Sequence, residues 1–400
     1  MKCKLSEIAS VKGGKRLPKG VNLISTPNAH PYIRVRDLNG QRTLELNDEY
    51  EFVDEETQKK IARYIVKKGD IVLSIVGTIG LVSIVGESLD NANLTENCVK
   101  IIVSEAMDSK FLYYYLKSSV GQTEIMQRTV GAVQAKLPIK NIQDINVWFP
   151  PKETQTQIAS VLSCIDDKIE HNNKINANLQ QQAQAIFKSW FVDFEPFGGT
   201  RPEDWNFICL EDCCSLITRG IAPKYDDTTD QIVLNQKCIR NQQIDLSKAR
   251  KHRPKKVNEK WLQHGDILIN STGQGTLGRI AQVHFQPQNM TVDSHVTIVR
   301  PKHELLVYYL GCLLTGREYE FVEMERGSTG QTELPRESVQ KYEVLLPDNA
   351  ILKRFNDLMR PIFQLLVQNQ EESLRLAEVR DALLPKLMSG EISLNEEMGS

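Results

Sequence analysis

No apolar run in this sequence approaches the roughly 18–20 residues that a bilayer crossing needs. The opening stretch MKCKLSEIASVKGG has no apolar segment of the secretory kind. A membrane partner is not expected, and the cytoplasm is the expected location. None of the eight cysteines forms a C-x-x-C pair. Cys209, Cys213 and Cys214 cluster, but no histidine sits nearby at finger spacing, so reduced structural thiols are expected and no metal site. Charge of one sign is not in excess either. The net charge is −2, so any nucleic-acid surface must be local. Catalytic signatures are also missing: no G-x-x-x-x-G-K-S/T phosphate loop, no G-x-S-x-G elbow, no H-E-x-x-H, no N-P-P segment and no cluster of nuclease carboxylates. His171 reads as a surface residue.

What the chain does have is a repeat. GDIVLSIVGTIGLVSIV (69–85) matches GDILINSTGQGTLGRIAQV (265–283) through Gly69-Asp70 and Gly265-Asp266, and through G-T-x-G at 77–80 and 275–278. Gln134-Ala-Lys-Leu137-Pro138 recurs as Gln331-Thr-Glu-Leu334-Pro335, an offset of 197. INVWFPP (145–151) recurs as YEVLLPD at the same offset, and Tyr114-Tyr115-Leu116 returns as Tyr308-Tyr309-Leu310. Two homologous halves of about 200 residues follow.

Each half ends in a heptad pattern. In the first, Ile158, Leu162, Ile165, Ile169, Asn172, Asn176, Leu179, Ala183, Ile186 and Trp190 alternate steps of four and three. Adding 197 gives Phe355, Met359, Ile362, Leu366, Asn369, Ser373, Leu376, Arg380, Leu383 and Leu387. The polar positions repeat along with the apolar ones, and only Arg380 interrupts the second seam. A single amphipathic helix buried on its own domain would give a similar stripe. The length, duplication and shared polar positions favour two long helices paired with each other, antiparallel if the halves are related by a pseudo-two-fold. Pro150-Pro151 and Pro347-Asp348 open these helices; Pro196, Gly198 and Gly199 close the first section. Pro361 is expected to bend the second helix or to mark a short first piece, and Pro385 to end the helix before Leu387.

The fold expected is α+β: two homologous globular α/β heads separated by two long helices that form an antiparallel coiled coil. The expected divisions are 1–150, 151–199 (first helix), 200–347, 348–390 (second helix) and a loose tail, 391–400. Strands are expected over 71–76, 81–85, 267–271 and 279–284. Gly273–Gly278 is a literal G-x-G-x-x-G, yet RIAQVHFQP after it reads as a strand, whereas a dinucleotide fingerprint needs a helix there. The glycines are therefore read as a strand-to-strand turn.

Local charge points to a polyanion. Residues 237–264 carry nine Lys/Arg against Asp245 and Glu259, densest at Arg250–Lys256. A solvated loop would look similar, but the first half is also basic in the corresponding region. The candidate DNA-contacting residues are Arg34, Arg36, Lys59, Lys60, Arg63 and Thr78 in the first head. In the second they are Lys237, Arg240, Arg250, Lys251, Arg253, Lys255, Lys256, Gln274 and Thr276. Lys and Arg neutralise phosphates, and Arg, Gln and Asn can read base edges.

The duplicated plan resembles the DNA-specificity subunit of type I restriction–modification systems. So do FPPKETQTQIASVLSCIDDKIEHNNKINANLQQQAQAIFKSWFVDFEPF (149–197) and ALLPKLMSGEI (382–392). The resemblance covers nearly the whole chain, with Arg380 its main departure. It implies a non-catalytic subunit whose two heads, as target-recognition domains, each read one half of a split site on double-stranded DNA. The helices would set the gap and dock two modification (methyltransferase) subunits, with restriction (translocase and endonuclease) subunits joining the assembly. S-adenosylmethionine, ATP and Mg²⁺ would belong to those partners, and this chain would bind no cofactor. The alternative is a coiled-coil scaffold that binds protein partners through its heads.

Overall fold

The computed structural model describes residues 2–38, 40–131, 134–253, 257–327 and 332–392. Lys255, Lys256 and Gln331 lie outside the described residues, as does the tail from 393. The chain forms two compact units, Met1–His171 with Glu372–Ser400, and Asn172–Glu371. Each unit holds one globular head and a part of each long helix.

In the first unit, Lys2–Lys4 pairs antiparallel with Asn146–Trp148. A five-stranded sheet runs in the order Ala9–Gly13, Cys98–Val103, Ile71–Ser74, Val82–Val85, Thr43–Leu44. A three-stranded sheet follows the order Glu51–Phe52, Pro31–Ile33, Asn93–Leu94. Helices Ser109–Lys117, Ser119–Gln127 and Ile139–Gln143 complete the head. The second unit repeats the plan. Asn206–Cys209 pairs with Glu343–Leu346. A four-stranded sheet orders Cys214–Arg219, Val296–Pro301, Ile267–Asn270, Ile280–Gln282, and a three-stranded one orders Arg250–His252, Gln231–Leu234, Met290–Val292. Helices Val307–Thr315, Glu318–Glu323 and Arg336–Gln340 follow.

The repeated GD segments become the central strands. Ile71–Ser74 and Ile267–Asn270 are buried at every position, as expected of strands covered on both faces. Alternate side chains enter two separate cores: Ile71 and Leu73 on one side and Val72 on the other, then Ile267 and Ile269 against Leu268. Tyr115 and Tyr309 fix each long-helix side of the head in the same way. Their hydroxyls donate to the carbonyls of Asn146 and Leu345, on the strands that lead into the long helices.

The first long helix spans Lys152–Phe191 and the second Asn349–Ser389. Asp348 caps the second, its Oδ1 accepting from the N–H groups of Ala350 (2.8 Å) and Ile351 (3.1 Å). The expectation that Pro385 ends the helix is corrected, and Pro361 marks off no separate first piece. The helix is unbroken through Pro361, and it continues past Pro385 to Ser389. Burial outweighs the lost N–H bonds: Phe355, Met359, Phe363 and Leu366 are buried around the first proline, and Leu384, Leu387 and Met388 around the second. Ile392 also packs on the first unit's core, so the tail does not begin loose at 391.

Pairing of the helices is visible inside each unit. In the second, Asn176 Nδ2 donates to Leu366 O (3.1 Å), Asn369 Nδ2 to Asn176 Oδ1 (2.9 Å) and Asn172 Nδ2 to Asn369 O (3.4 Å). In the first, Lys168 meets Glu372 at 3.0 Å and Arg380 meets Asp166 at 2.8 Å. Numbers rise on one helix as they fall on the other, so both segments run antiparallel. Ile158, Leu162, Asn172, Asn176, Phe355, Met359, Leu366 and Asn369 are buried; Ile165, Ile169, Leu179, Ile186, Ile362, Ser373, Leu376 and Leu383 are half-buried.

Arg380 is the interruption with a purpose. Its guanidinium meets the buried Asp166 carboxylate, which also accepts from the Tyr114 hydroxyl at 2.7 Å. At the offset of 197 the second unit has Ala183 for Arg380 and Phe363 for Asp166, both buried. There Phe363 stacks on Tyr308 (5.1 Å, 2°), the counterpart of Tyr114. One joint is ionic and its twin is aromatic. Arg380→Ala strands a buried carboxylate and is expected to cost about 3 kcal/mol. The pair Arg380→Ala with Asp166→Phe, copying the twin, should recover most of that loss. Denaturant unfolding of the three proteins checks this.

Candidate nucleic-acid interface

The repeated aspartates serve the fold. Asp70 Oδ2 accepts from Lys67 N–H (2.9 Å), and Asp266 Oδ2 from Gln263 N–H (2.8 Å), closing the turn before each central strand. Each carboxylate faces a cation on the adjoining strand. Lys100 lies 3.8 Å from Asp70, while Arg300 holds Asp266 through both oxygens at 2.7 and 2.8 Å. Cysteine chemistry is quiet as well. Burial pushes the Cys213 thiol up to about 11 and raises Cys214 further, which keeps both protonated and poor as ligands.

The G-T-x-G segments form matched loops at one end of the central strands. Gly80 N–H returns to Ser74 O (3.1 Å), and Gly278 N–H to Asn270 O (2.8 Å). Between these closures the second head has two more residues than the first. Gly278 is followed by the strand Ile280–Gln282 and not by a helix, so the glycines make a strand-to-strand turn. Thr78, Gln274 and Gly275 are exposed and Thr276 is half-buried. Beside each loop the chain makes a tight backbone approach. A Cβ on Gly14 would lie 2.0 Å from Thr95 O, and one on Gly220 2.0 Å from Val292 O.

A second loop lies at the same end. In the first head the strand Pro31–Ile33 leads into a short turn, Val35–Asp37; in the second, Gln231–Leu234 leads into Gln236–Cys238. Strand register equates Ile33 with Leu234, which sets Arg34 against Asn235 and Arg36 against Lys237. Two cations chosen from local charge thus occupy one structural position. The Asn235 side chain accepts from Lys237 N–H (2.9 Å) and fixes that turn.

The two heads differ in how far their cations are neutralised. Arg34 and Arg36 both bond Glu51, and Lys59 and Lys60 sit beside Glu55 and Glu56. Arg63 is exposed. In the second head Arg253 is tied to Asp226 (3.0 Å), and Arg250 lies over the Tyr225 ring at 3.5 Å. Lys237, Arg240, Arg250 and Lys251 are exposed, with no carboxylate partner among the described residues. The structure brings Thr272 and Thr276 to the side chain of Gln236, next to Lys237 in the chain, and puts Arg250 and Lys251 on one strand with Arg253 just past its end. Sequence reasoning missed Gln236 and Arg219. Arg219 bonds Glu333 and the Leu334 carbonyl across 114 and 115 residues, a separation that leaves no local signal.

Two copies of one mixed α/β head, each with a G-T-x-G loop closing on its central strand and a short turn bearing an exposed cation (Arg36, Lys237), define a duplicated DNA-recognition protein. A family model described as "Type I restriction modification DNA specificity domain" matches residues 1–181 and again 202–374, and the chain belongs to that family. Across 98% of its length it is 26% identical to the Type I restriction enzyme MjaIX specificity subunit of Methanocaldococcus jannaschii, covering 93% of that protein. It is 23% identical to the HindI specificity subunit of Haemophilus influenzae, with 83% of this chain and 88% of that one covered. The solved S subunit of a type I restriction–modification system from M. genitalium shares the fold. Its TM-score is 0.60 at 17% identity, with coverage of 97% and 96%. The family recognises DNA and is not catalytic.

The bidentate pair predicts a difference between the heads. Asp266→Asn leaves Arg300 buried without its anion and should lower stability by about 3 kcal/mol. Asp70→Asn, facing a lysine at longer range, should cost roughly 1 kcal/mol. Comparative thermal melts of the two variants measure the ordering.

Proposed function

We propose that this chain is the specificity subunit of a type I restriction–modification enzyme whose two heads each read one half of a split, asymmetric DNA site. The observation that carries this is the recurrence, in both heads, of a short turn bearing an exposed cation (Arg36, Lys237) and of a G-T-x-G loop (Thr78, Thr276) closing on the central strand, the two being hydrogen-bonded to each other in the second head. Cations there engage phosphates, and the loop side chains face base edges. Different residues on matched frames give different half-sites. The strand carrying Arg250 and Lys251, with Arg253 just beyond it, extends the phosphate track of the second head; Arg34, Lys59, Lys60 and Arg63 do so less strongly in the first, where carboxylates oppose them. Lys255 and Lys256 continue the run in sequence.

The long helices supply the spacing and the assembly surface for two modification subunits in the cytoplasm, through which restriction subunits are recruited. S-adenosylmethionine, ATP and Mg²⁺ are those partners' cofactors.

Two measurements test this reading. Replacing Lys237, Arg250 and Lys251 by Gln should weaken DNA binding of the assembled enzyme and reduce the slope of log affinity against log salt by about 2–3. An unchanged slope removes these residues from the interface. Deleting matched heptads from both helices, 169–175 and 366–372, shortens each by roughly 10 Å, or about three base pairs. The accepted gap between half-sites should contract by that amount while both halves keep their sequence. A constant gap overturns the spacing role.

A further inference from the structure

The two glycine loops are held by different braces. In the first head Ser74 Oγ donates to Thr78 O (2.6 Å) and accepts from Leu81 N–H (2.9 Å). The residue at the matching place in the second head is Asn270, since Gly278 returns to it as Gly80 returns to Ser74. Asn270 does not close the loop on itself. Its Nδ2 donates outward to the Gln236 carbonyl at 3.1 Å. The Gln236 side chain then enters the longer loop. Its Nε2 donates to Thr272 Oγ1 (2.9 Å), and its Oε1 lies 3.3 Å from Thr276 Oγ1. Thr272 Oγ1 is in turn 2.8 Å from His295 Nδ1.

Glycine at 273 is what admits this side chain. Its φ is +103°, and a Cβ there would lie 2.4 Å from Gln236 Oε1. The first head is braced from another element: Gln122 Nε2 donates to the Gly80 carbonyl at 3.0 Å. Val35, the register counterpart of Gln236, is apolar and packs with Leu81 on the core. The second loop also turns on Gly273 O, which accepts from the N–H groups of Thr276 (3.0 Å) and Leu277 (2.9 Å); Gln236 ties that turn to the neighbouring segment, and a base-reading side chain at its tip needs one shape.

We propose that Gln236 is a positioning residue for recognition: it sets the shape of the Gly273–Gly278 loop and so the sequence preference of the second head alone. Gln236 carries no charge and its neighbour Lys237 supplies the phosphate contact, so loss of the brace separates specificity from affinity. This rests on the reading that each head reads one half-site.

The test uses the full chain assembled with its modification subunits and a duplex library randomised over both halves of the site. The variants are Gln236→Ala and Gln236→Met; the second keeps the side chain's volume and protects the fold. The wild type should select two defined halves. Both variants should retain one half unchanged and lose discrimination in the other about tenfold, with the salt slope of binding unaltered. If both halves stay as in the wild type, or both blur together with a lowered melting temperature, Gln236 does not position the loop. A wild type that selects no pair of halves sinks the reading beneath it instead.

Discussion

Three buried asparagines impose the constraint on which the rest is built. Asn172, Asn176 and Asn369 lie in an otherwise apolar seam and satisfy one another and the facing backbone within the second unit. A slip of one turn would leave buried amides without partners, at about 1–3 kcal/mol each. Apolar seams tolerate such slips; polar seam residues penalise them. Register is therefore fixed by a few polar groups, while the flanking Ile, Leu, Phe and Met side chains supply the bulk of the cohesion.

Within that frame the halves have diverged where divergence is tolerated. The strands that divide the cores, the tyrosines that hold the exit strands and the loop-closing hydrogen bonds are kept. The helix–head joint has changed chemistry, from Arg380 and Asp166 to Ala183 and Phe363. So has the loop brace, from Ser74 to Gln236. Such exchanges preserve the backbone path while altering what the loop ends present. Opposing charge has diverged as well: Glu51 occupies both Arg34 and Arg36, whereas Lys237 and Lys251 have no such partner among the described residues.

Much of this was legible in the sequence because it repeats at a fixed offset. The halves, the heptad seams and the strand-to-strand reading of Gly273–Gly278 all follow from residues whose partners share their period or lie close by. Pro385 misled, since local propensity was weighed without the burial of Leu384, Leu387 and Met388. Arg380 read as a defect because its anion lies on the other helix. Gln236 and Arg219 gave no sign at all; their roles arise from contacts made across 36 and 114 residues. Charge density located the basic strand but could not say which cations were already neutralised, since Asp226 and Glu51 meet their arginines only in the folded head.

The first unit is discontinuous in the chain, made from residues up to 171 and from 372 onward, with the whole second unit encoded between them. Its core closes only when Leu384, Leu387 and Met388 arrive. During synthesis on the ribosome the second head and its helical segments can therefore consolidate before the first is finished, reversing the usual N-terminal-first order. The unfinished lobe meanwhile exposes apolar surface, and its completion is a long-range closure between residues up to 171 and residues from 372 onward.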